Sequence, residues 1–358
     1  MSNKLVKKRE IIPHSRPSVD QAEMHGLQNV LASGQLAQGP QVNGFEDELG
    51  SFHGLPPGVA TSSGTAALHL ALLSLGVGPD DEVLLPSYVC SAPLHAVYHS
   101  GATPVLVDVD PATGNMDPDD LKKRLTSKSK AIIAVHLFGL PADMDDILAL
   151  GLPVIEDCAQ SLGANLEGRM LGTLGAISIC SFYATKLITT GEGGMLLSRD
   201  SKILSMARDL RDYDKKDDFN VRFNYKMTDL QAALGRSQLE KLESFLDQRE
   251  ELAGVYNEQL ATLPCTLPLS QEGRIYYRYV VSVQGTITEL IQKLLNMGIE
   301  VARPVYRPLH RYFNLGGYPG AEMAWKSHLS LPIHPSLTSQ DVHRVCHALQ
   351  QALTENSQ

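Results

Sequence analysis

Short apolar runs recur through the middle of the chain, each set off from the next by a polar or helix-patterned stretch. They are "EVLLP" (82–86), "TPVLVDV" (103–109), "AIIAVHL" (131–137), "LPVIED" (152–157), "AISICSF" (176–182) and "GMLLS" (194–198). None alternates cleanly between apolar and polar residues, so each predicted strand must be covered on both faces. Helical patterns fall between several of them, at 65–75, 90–100, 117–125 and 142–150. Strands and helices in alternation, with doubly buried strands, predict an α/β fold with a mostly parallel sheet and helices on its faces. Capping residues agree. Ser62 and Ser63 precede "GTAALHLALLSLG", which ends at Gly76, and Asp117 opens "DPDDLKKRL" with Pro118 just inside the start.

The pattern changes after about residue 225. "MTDLQAALGRSQLEKLESFLDQREELAGVYNEQL" reads as one long amphipathic helix leading out of the first domain. Beyond it, "YYRYVVSVQ" and "IEVARPVY" look like strands, and 286–297 and 339–353 look like helices, which together predict a smaller C-terminal α+β domain. The expected division is an N-terminal arm at 1–25, a large cofactor-binding domain at 26–245 and a small domain at 246–358. The arm has no core of its own and is expected to pack on another domain or subunit.

Charge and cysteine usage narrow the class. The net charge of -9 provides no general basic face for nucleic acid, so any phosphate site must be local. Five cysteines (Cys90, Cys158, Cys180, Cys265 and Cys346) form no CxxC and are expected to be reduced thiols in a cytoplasm. "MSNKLVKKRE" lacks the apolar run of a signal peptide, and no stretch is apolar enough to span a membrane. The expectation is a soluble intracellular protein. His95/His99 and His343/His347 have i, i+4 spacing but no HExxH, and no metal site is expected.

Three features fall at strand ends or helix starts, where ligands bind in open α/β sheets. In "TSSGTAAL" (61–68), Ser63, Gly64 and Thr65 open a helix. Free N–H groups, hydroxyls and the helix dipole could cradle a phosphate there, although an ordinary N-cap has the same composition. In "VIEDCAQSLGA" (154–164), a buried strand ends in Glu156 and Asp157. A carboxylate there needs a partner such as a protonated ring nitrogen, or it caps the next helix. In "SFYATKLITTGEGG" (181–194), Lys186 stands alone between an apolar strand and a Gly-rich loop. It is either a Schiff-base lysine or one that snorkels to the surface. Phosphate cradle, acid and amine together are what pyridoxal 5'-phosphate requires.

At this point the chain resembles a known family. "SSGTAALHLAL", "GATPVLVDVDP", "AVHLFGLPADMDDI", "VIEDCAQSLGA", "SFYATKLITTGEGGM" and "NYKMTDLQAALGRSQLEKL" are similar, in that order, to blocks of the DegT/DnrJ/StrS-type sugar aminotransferases, as are "PVYRPLH" and "LSLPIHPSLT". The resemblance covers nearly the whole chain. It implies an aspartate-aminotransferase-like fold (fold type I), working as a homodimer with shared active sites. It also implies transfer of an amino group from L-glutamate to a nucleotide-linked keto sugar with ping-pong kinetics. Lys186 matches the internal-aldimine lysine, which acts as general base and acid, and Asp157 matches the acid facing the pyridinium nitrogen. Gln160 matches the residue near the ring hydroxyl, and Ser63, Gly64, Thr65 and Ser181 match the phosphate ligands. Asn224 matches an asparagine that reaches the cofactor phosphate of the neighbouring subunit.

The chain also departs from the pattern. Cys90 falls where the family usually has a Phe or Trp stacked on the ring. A small buried Cys, a Tyr88 that covers the ring instead, or a reactive thiol would each fit. Leu187 stands where Asn often follows the lysine, and Arg278 where His is common. Arg278, Arg303, Tyr306, His310 and Arg311 lie in the region that faces the acceptor in the family; they would suit a diphosphate, or they are surface charge. An acceptor without a nucleotide, such as a cyclitol ketone, and a non-catalytic regulator are the alternatives.

Overall fold

The computed structural model describes residues 11–354. Its centre is a seven-stranded sheet of β1 (Val59–Thr61), β2 (Glu82–Pro86), β3 (Thr103–Val107), β4 (Ser129–Val135), β5 (Val154–Asp157), β6 (Ile177–Ser181) and β7 (Gly194–Leu197). The spatial order is β1-β7-β6-β5-β4-β2-β3. β2, β3, β4, β5 and β6 pair in parallel, and β7 runs antiparallel to both β6 and β1. The six apolar runs are six of these strands. β1, "VAT", is too short to produce a pattern of its own. Apart from the starts of β2, β3 and β4, nearly all the sheet residues are buried, as the lack of alternation requires.

The helix Gly64–Ser74 places the site. It is apolar nearly all round, and Ala66 to Leu72 are buried. A helix of that composition must be covered on several sides. It packs against the sheet and against the helices Ala92–His99 and Ser201–Arg211, which fixes its N-terminus at the carboxyl end of β1.

A three-stranded antiparallel sheet, β8 (Cys265–Thr266), β9 (Tyr279–Val283) and β10 (His328–Leu331), forms the C-terminal part. Helices Ile287–Asn296 and Ser339–Thr354 cover it around a separate core that includes Leu252, Tyr256, Tyr279, Leu294 and Leu349. Ile12 belongs to that core, and its N–H bonds Gly298 O at 2.9 Å.

Two expectations of the sequence reading fail. The long amphipathic stretch is two helices, Asp229–Leu239 and Leu242–Leu260. The break at Glu240–Lys241 lets Lys241 Nζ reach Asp20 at 2.8 Å and the fully buried Glu23 at 2.7 Å. The second helix runs through the expected boundary at 245–246, with Leu242 and Phe245 in one core and Leu252 and Tyr256 in the other. "IEVARPVY" forms no strand, only isolated bridges from Ile299 to Ile12 and from Ala302 to Ser330. Pro304 and Pro308 remove the donors that a ladder would need. Among the described residues no helix is long and apolar enough to cross a membrane.

Candidate active site

The carboxyl ends of β4, β5 and β6 and the start of helix Gly64–Ser74 enclose a cavity of about 340 Å³. Ser63, Gly64, Thr65, Cys90, Asp157, Gln160, Ser181 and Lys186 all line it. Residues far apart in sequence meet there because a parallel sheet brings its strand ends to one edge.

Lys186 is held by a tight turn after β6, in which its own N–H bonds Tyr183 O at 2.8 Å. Leu187 and Ile188 anchor the turn in the core below. The glycines that follow are a packing requirement. A Cβ on Gly194 would lie 2.5 Å from Ser63 O, and one on Gly193 would lie 2.3 Å from Thr190 Oγ1. Only a backbone without side chains lets β7 pass so close to the Ser63–Gly64 peptide.

Glu156 and Asp157 are neighbours on β5 and therefore face opposite ways. Glu156 is structural. Its carboxylate accepts from the N–H groups of Gly172, Leu174 and Gly175 at 2.6–2.8 Å and pairs with His136 Nε2 at 3.1 Å. Burial works against its charge, but the His136 bond and these amides hold the carboxyl below the usual range. Cys158 lies with His136 and Glu156 in one buried cluster, where His136 Nδ1 already accepts from Ala142 N–H. Asp157 turns into the cavity and accepts from Ala159 N–H at 3.0 Å. Burial pushes its pKa up, and Ala159 N–H, Lys186 and His136 only partly counter this.

The helix start is open to an anion. Ser63 caps the helix, and its Oγ accepts from Ala66 N–H at 3.1 Å. A Cβ on Gly64 would meet Ser181 Cβ at 2.9 Å, so glycine keeps the approach to the backbone clear. Gln160 is fixed from behind, with its Oε1 accepting from Phe138 N–H at 3.0 Å. Cys90 is exposed, but to the cavity, whose crowded walls push its thiol pKa up despite the nearby Lys186.

Tyr88 does not cover the cavity. It is 1% exposed and packs edge-on against Phe138 and His328, with its hydroxyl directed to Ala324 O. The chain bends at 87–89 instead of continuing extended, so Tyr88 and Cys90 do not share a side. Asn224 is exposed and does not line the cavity of its own chain. The carbonyl of the next residue, Tyr225, accepts from Ser62 N–H at 2.7 Å.

Arg278 lies beside the site. Its guanidinium sits 4.9 Å from the centre of the Tyr277 ring, and its Nη1 lies 3.0 Å from His14 Nδ1. Arg303, Tyr306, His310 and Arg311 instead line an open depression of about 700 Å³ that shares no residue with the Lys186 cavity. Tyr306 is 85% exposed. The guanidinium groups of Arg303 and Arg311 both stack on Trp325, and Arg311 also pairs with Glu322. His310 is a supporting residue. It is 3% exposed, and its two nitrogens bond Ser87 Oγ at 2.7 Å and Glu322 at 2.9 Å.

The sequence reading missed Tyr277 and Thr185. Lys186 Nζ lies 5.2 Å from the Tyr277 ring centre, and Thr185 lines the same cavity as Lys186. The available signal was adjacency, since Tyr277 directly precedes the already chosen Arg278.

These residues fit pyridoxal phosphate. Gly64 and Ser63 leave a cradle that a Cβ would fill, Asp157 is a buried carboxyl short of a cation, and Lys186 supplies an amine across the same cavity. Fold and donor set together define the class, a fold type I aminotransferase. The chain belongs to the DegT/DnrJ/EryC1/StrS aminotransferase family, whose sequence profile matches residues 17–350. It is 40% identical over 331 residues to the GDP-perosamine synthase of Caulobacter vibrioides, covering 86% of this chain and 89% of that protein. It is 33% identical to a UDP-N-acetyl-3-dehydro-alpha-D-glucosamine 3-aminotransferase of Acidithiobacillus ferrooxidans, covering 95% and 96%. The fold superimposes on Spr1654 of Streptococcus pneumoniae in its PLP form with a TM-score of 0.90 at 28% identity, covering 96% and 99%.

Proposed function

We propose that the chain transfers an amino group from L-glutamate to a keto sugar carried on a nucleotide, with pyridoxal phosphate as cofactor. The observation that carries this reading is that Asp157, at the end of β5, and Lys186, in the turn after the adjacent β6, face one cavity beside an open helix N-terminus. Relatives named for a GDP-linked and a UDP-linked amino sugar support a nucleotide-linked acceptor.

Bound in this cavity, the cofactor supplies an aldehyde that condenses with amines and a ring that accepts electrons. Ser63, Gly64, Thr65 and Ser181 would hold its phosphate through hydroxyls and the helix N-terminus. Asp157 would keep a proton on the ring nitrogen, and that cation would bring its raised pKa down. Gln160, whose carbonyl oxygen is committed to Phe138, has its amide nitrogen left to donate near the ring hydroxyl. Lys186 Nζ is the base that removes the α-proton of the donor and later returns a proton to the sugar carbon that takes the amine. Cys90 offers less stacking surface than an aromatic ring would. We assign Asn224 to the phosphate of the partner subunit's cofactor, which makes a homodimer the active unit, and we place the enzyme in the cytoplasm. Arg278 is the best placed of the acceptor candidates. Arg303 and Tyr306 are the more distant ones.

Steady-state rates with L-glutamate and GDP- or UDP-linked keto sugars varied together test the reading. Parallel double-reciprocal lines with at least one acceptor are expected. Intersecting lines, or no turnover with either carrier, contradict it.

A further inference from the structure

Lys186 also faces an arrangement, centred on Tyr277, that the transfer reaction as described does not use. Tyr277 is 6% exposed and lies between two cations. Lys186 Nζ sits 5.2 Å from its ring centre and the Arg278 guanidinium 4.9 Å from it, both within cation–π range. Its hydroxyl accepts from Arg278 Nη2 at 3.4 Å. Among the described residues neither Lys186 nor Arg278 has a carboxylate within ion-pair distance.

Arg278 is held in turn. Its Nη1 lies 3.0 Å from His14 Nδ1, and His14 Nε2 lies 2.9 Å from Ser330 Oγ on β10. Burial, then Arg278 and His334, push the His14 pKa down to about 3, so the ring is neutral and can accept from the arginine. A residue of the N-terminal arm thus holds the arginine that orients the tyrosine beside the lysine.

We propose that Tyr277 is a positioning residue for Lys186. Its ring receives the ammonium on one face, and its hydroxyl, held by Arg278, supplies the countercharge that lets Nζ carry a proton between donor and acceptor. The proposal rests on Lys186 being the proton-transferring amine.

The surroundings are consistent with that role. The groups facing Tyr277 are Lys186 and Thr185 from the loop after β6, Arg278 beside it, and Arg249 from helix Leu242–Leu260. Arg249 bonds the Tyr277 carbonyl at 3.2 Å. Burial raises the phenol pKa, but the charges of Lys186 and Arg278 outweigh it and bring the value down to about 8. The phenol then ionises near the pH at which the enzyme would work, whereas an ordinary tyrosine titrates at about 10.

The test has two parts. The first is ultraviolet difference titration of phenolate in the full-length protein freed of cofactor. One of the twelve tyrosines is expected to titrate near pH 8 in the native chain, to vanish in Tyr277→Phe and to move toward 10 in Arg278→Gln. Identical curves for the native protein and Tyr277→Phe between about pH 7 and 9 overturn the proposal. The second part is kinetic. Tyr277→Phe keeps the ring and should lower kcat about tenfold with the KM for glutamate unchanged, while Tyr277→Leu lowers kcat further. Native kcat in both variants overturns the proposal. If the chain bound no cofactor, the transfer reading would fail while the titration still reported on Tyr277, so the two failures are distinguishable.

Discussion

The Lys186 cavity and the Trp325 depression both collect charged residues, but they differ in what those residues are free to do. In the cavity, Asp157 at the end of β5 and Lys186 in the turn after β6 have few competing partners. In the depression, Arg303 and Arg311 stack on Trp325, Arg311 is paired with Glu322, and His310 is bonded on both nitrogens. The first is a rigid place with uncommitted chemistry. The second is an open surface whose charges mostly hold one another. Under the proposed function, catalytic groups sit at one edge of the sheet and substrate selection falls to side chains on loops of the small domain.

Substitutions can break that contrast. Lys186→Ala should give the largest loss, at least about a thousandfold in single-turnover transfer, because it removes the proton-moving amine. Asp157→Asn should lower kcat about a hundredfold, since a neutral amide cannot hold a charged ring nitrogen; the check is kcat at saturating cofactor. The depression should respond differently. Arg303→Ala should raise the KM for the acceptor a fewfold with kcat unchanged. His310→Ala should leave KM alone and cost about 1–3 kcal/mol in denaturant unfolding, because Ser87 and Glu322 lose a buried partner. A hundredfold kcat loss in either variant would erase the distinction.

The smallest effect is on pH. Burial is the main cause that lowers the pKa of His14 to about 3 and those of His328 and His334 to about 4, from an ordinary 6.5. Between those values the unfolded chain binds protons that the folded chain does not, so stability rises with pH there. The unfolding midpoint should therefore hold above about pH 6.5 and fall as the pH drops toward 4. A midpoint that does not change over that range would contradict the buried, neutral histidines.

The strand-end half of the site was legible because its residues are contiguous with the pattern that makes the sheet. "VIED" is a doubly buried strand ending in acids, and "SSGTAAL" is a cap on an apolar helix. Each motif carries its position with it. The surroundings of Lys186 on the Tyr277 side were not legible. Tyr277 and His14 reach Lys186 and Arg278 through the packing of the arm and small domain, which leaves no local period. Tyr88 was misplaced for a similar reason. Its direction depended on a bend after β2 that "PSYVC" does not announce. The single long helix failed at Lys241, whose ammonium pairs with buried Glu23, distant in sequence.

The most direct test of the account is the visible absorbance of the purified protein and of Lys186→Ala, each before and after addition of L-glutamate. The account predicts a yellow native protein that bleaches with glutamate, and a variant that lacks the native band. A colourless native protein that added pyridoxal phosphate cannot reconstitute would contradict it.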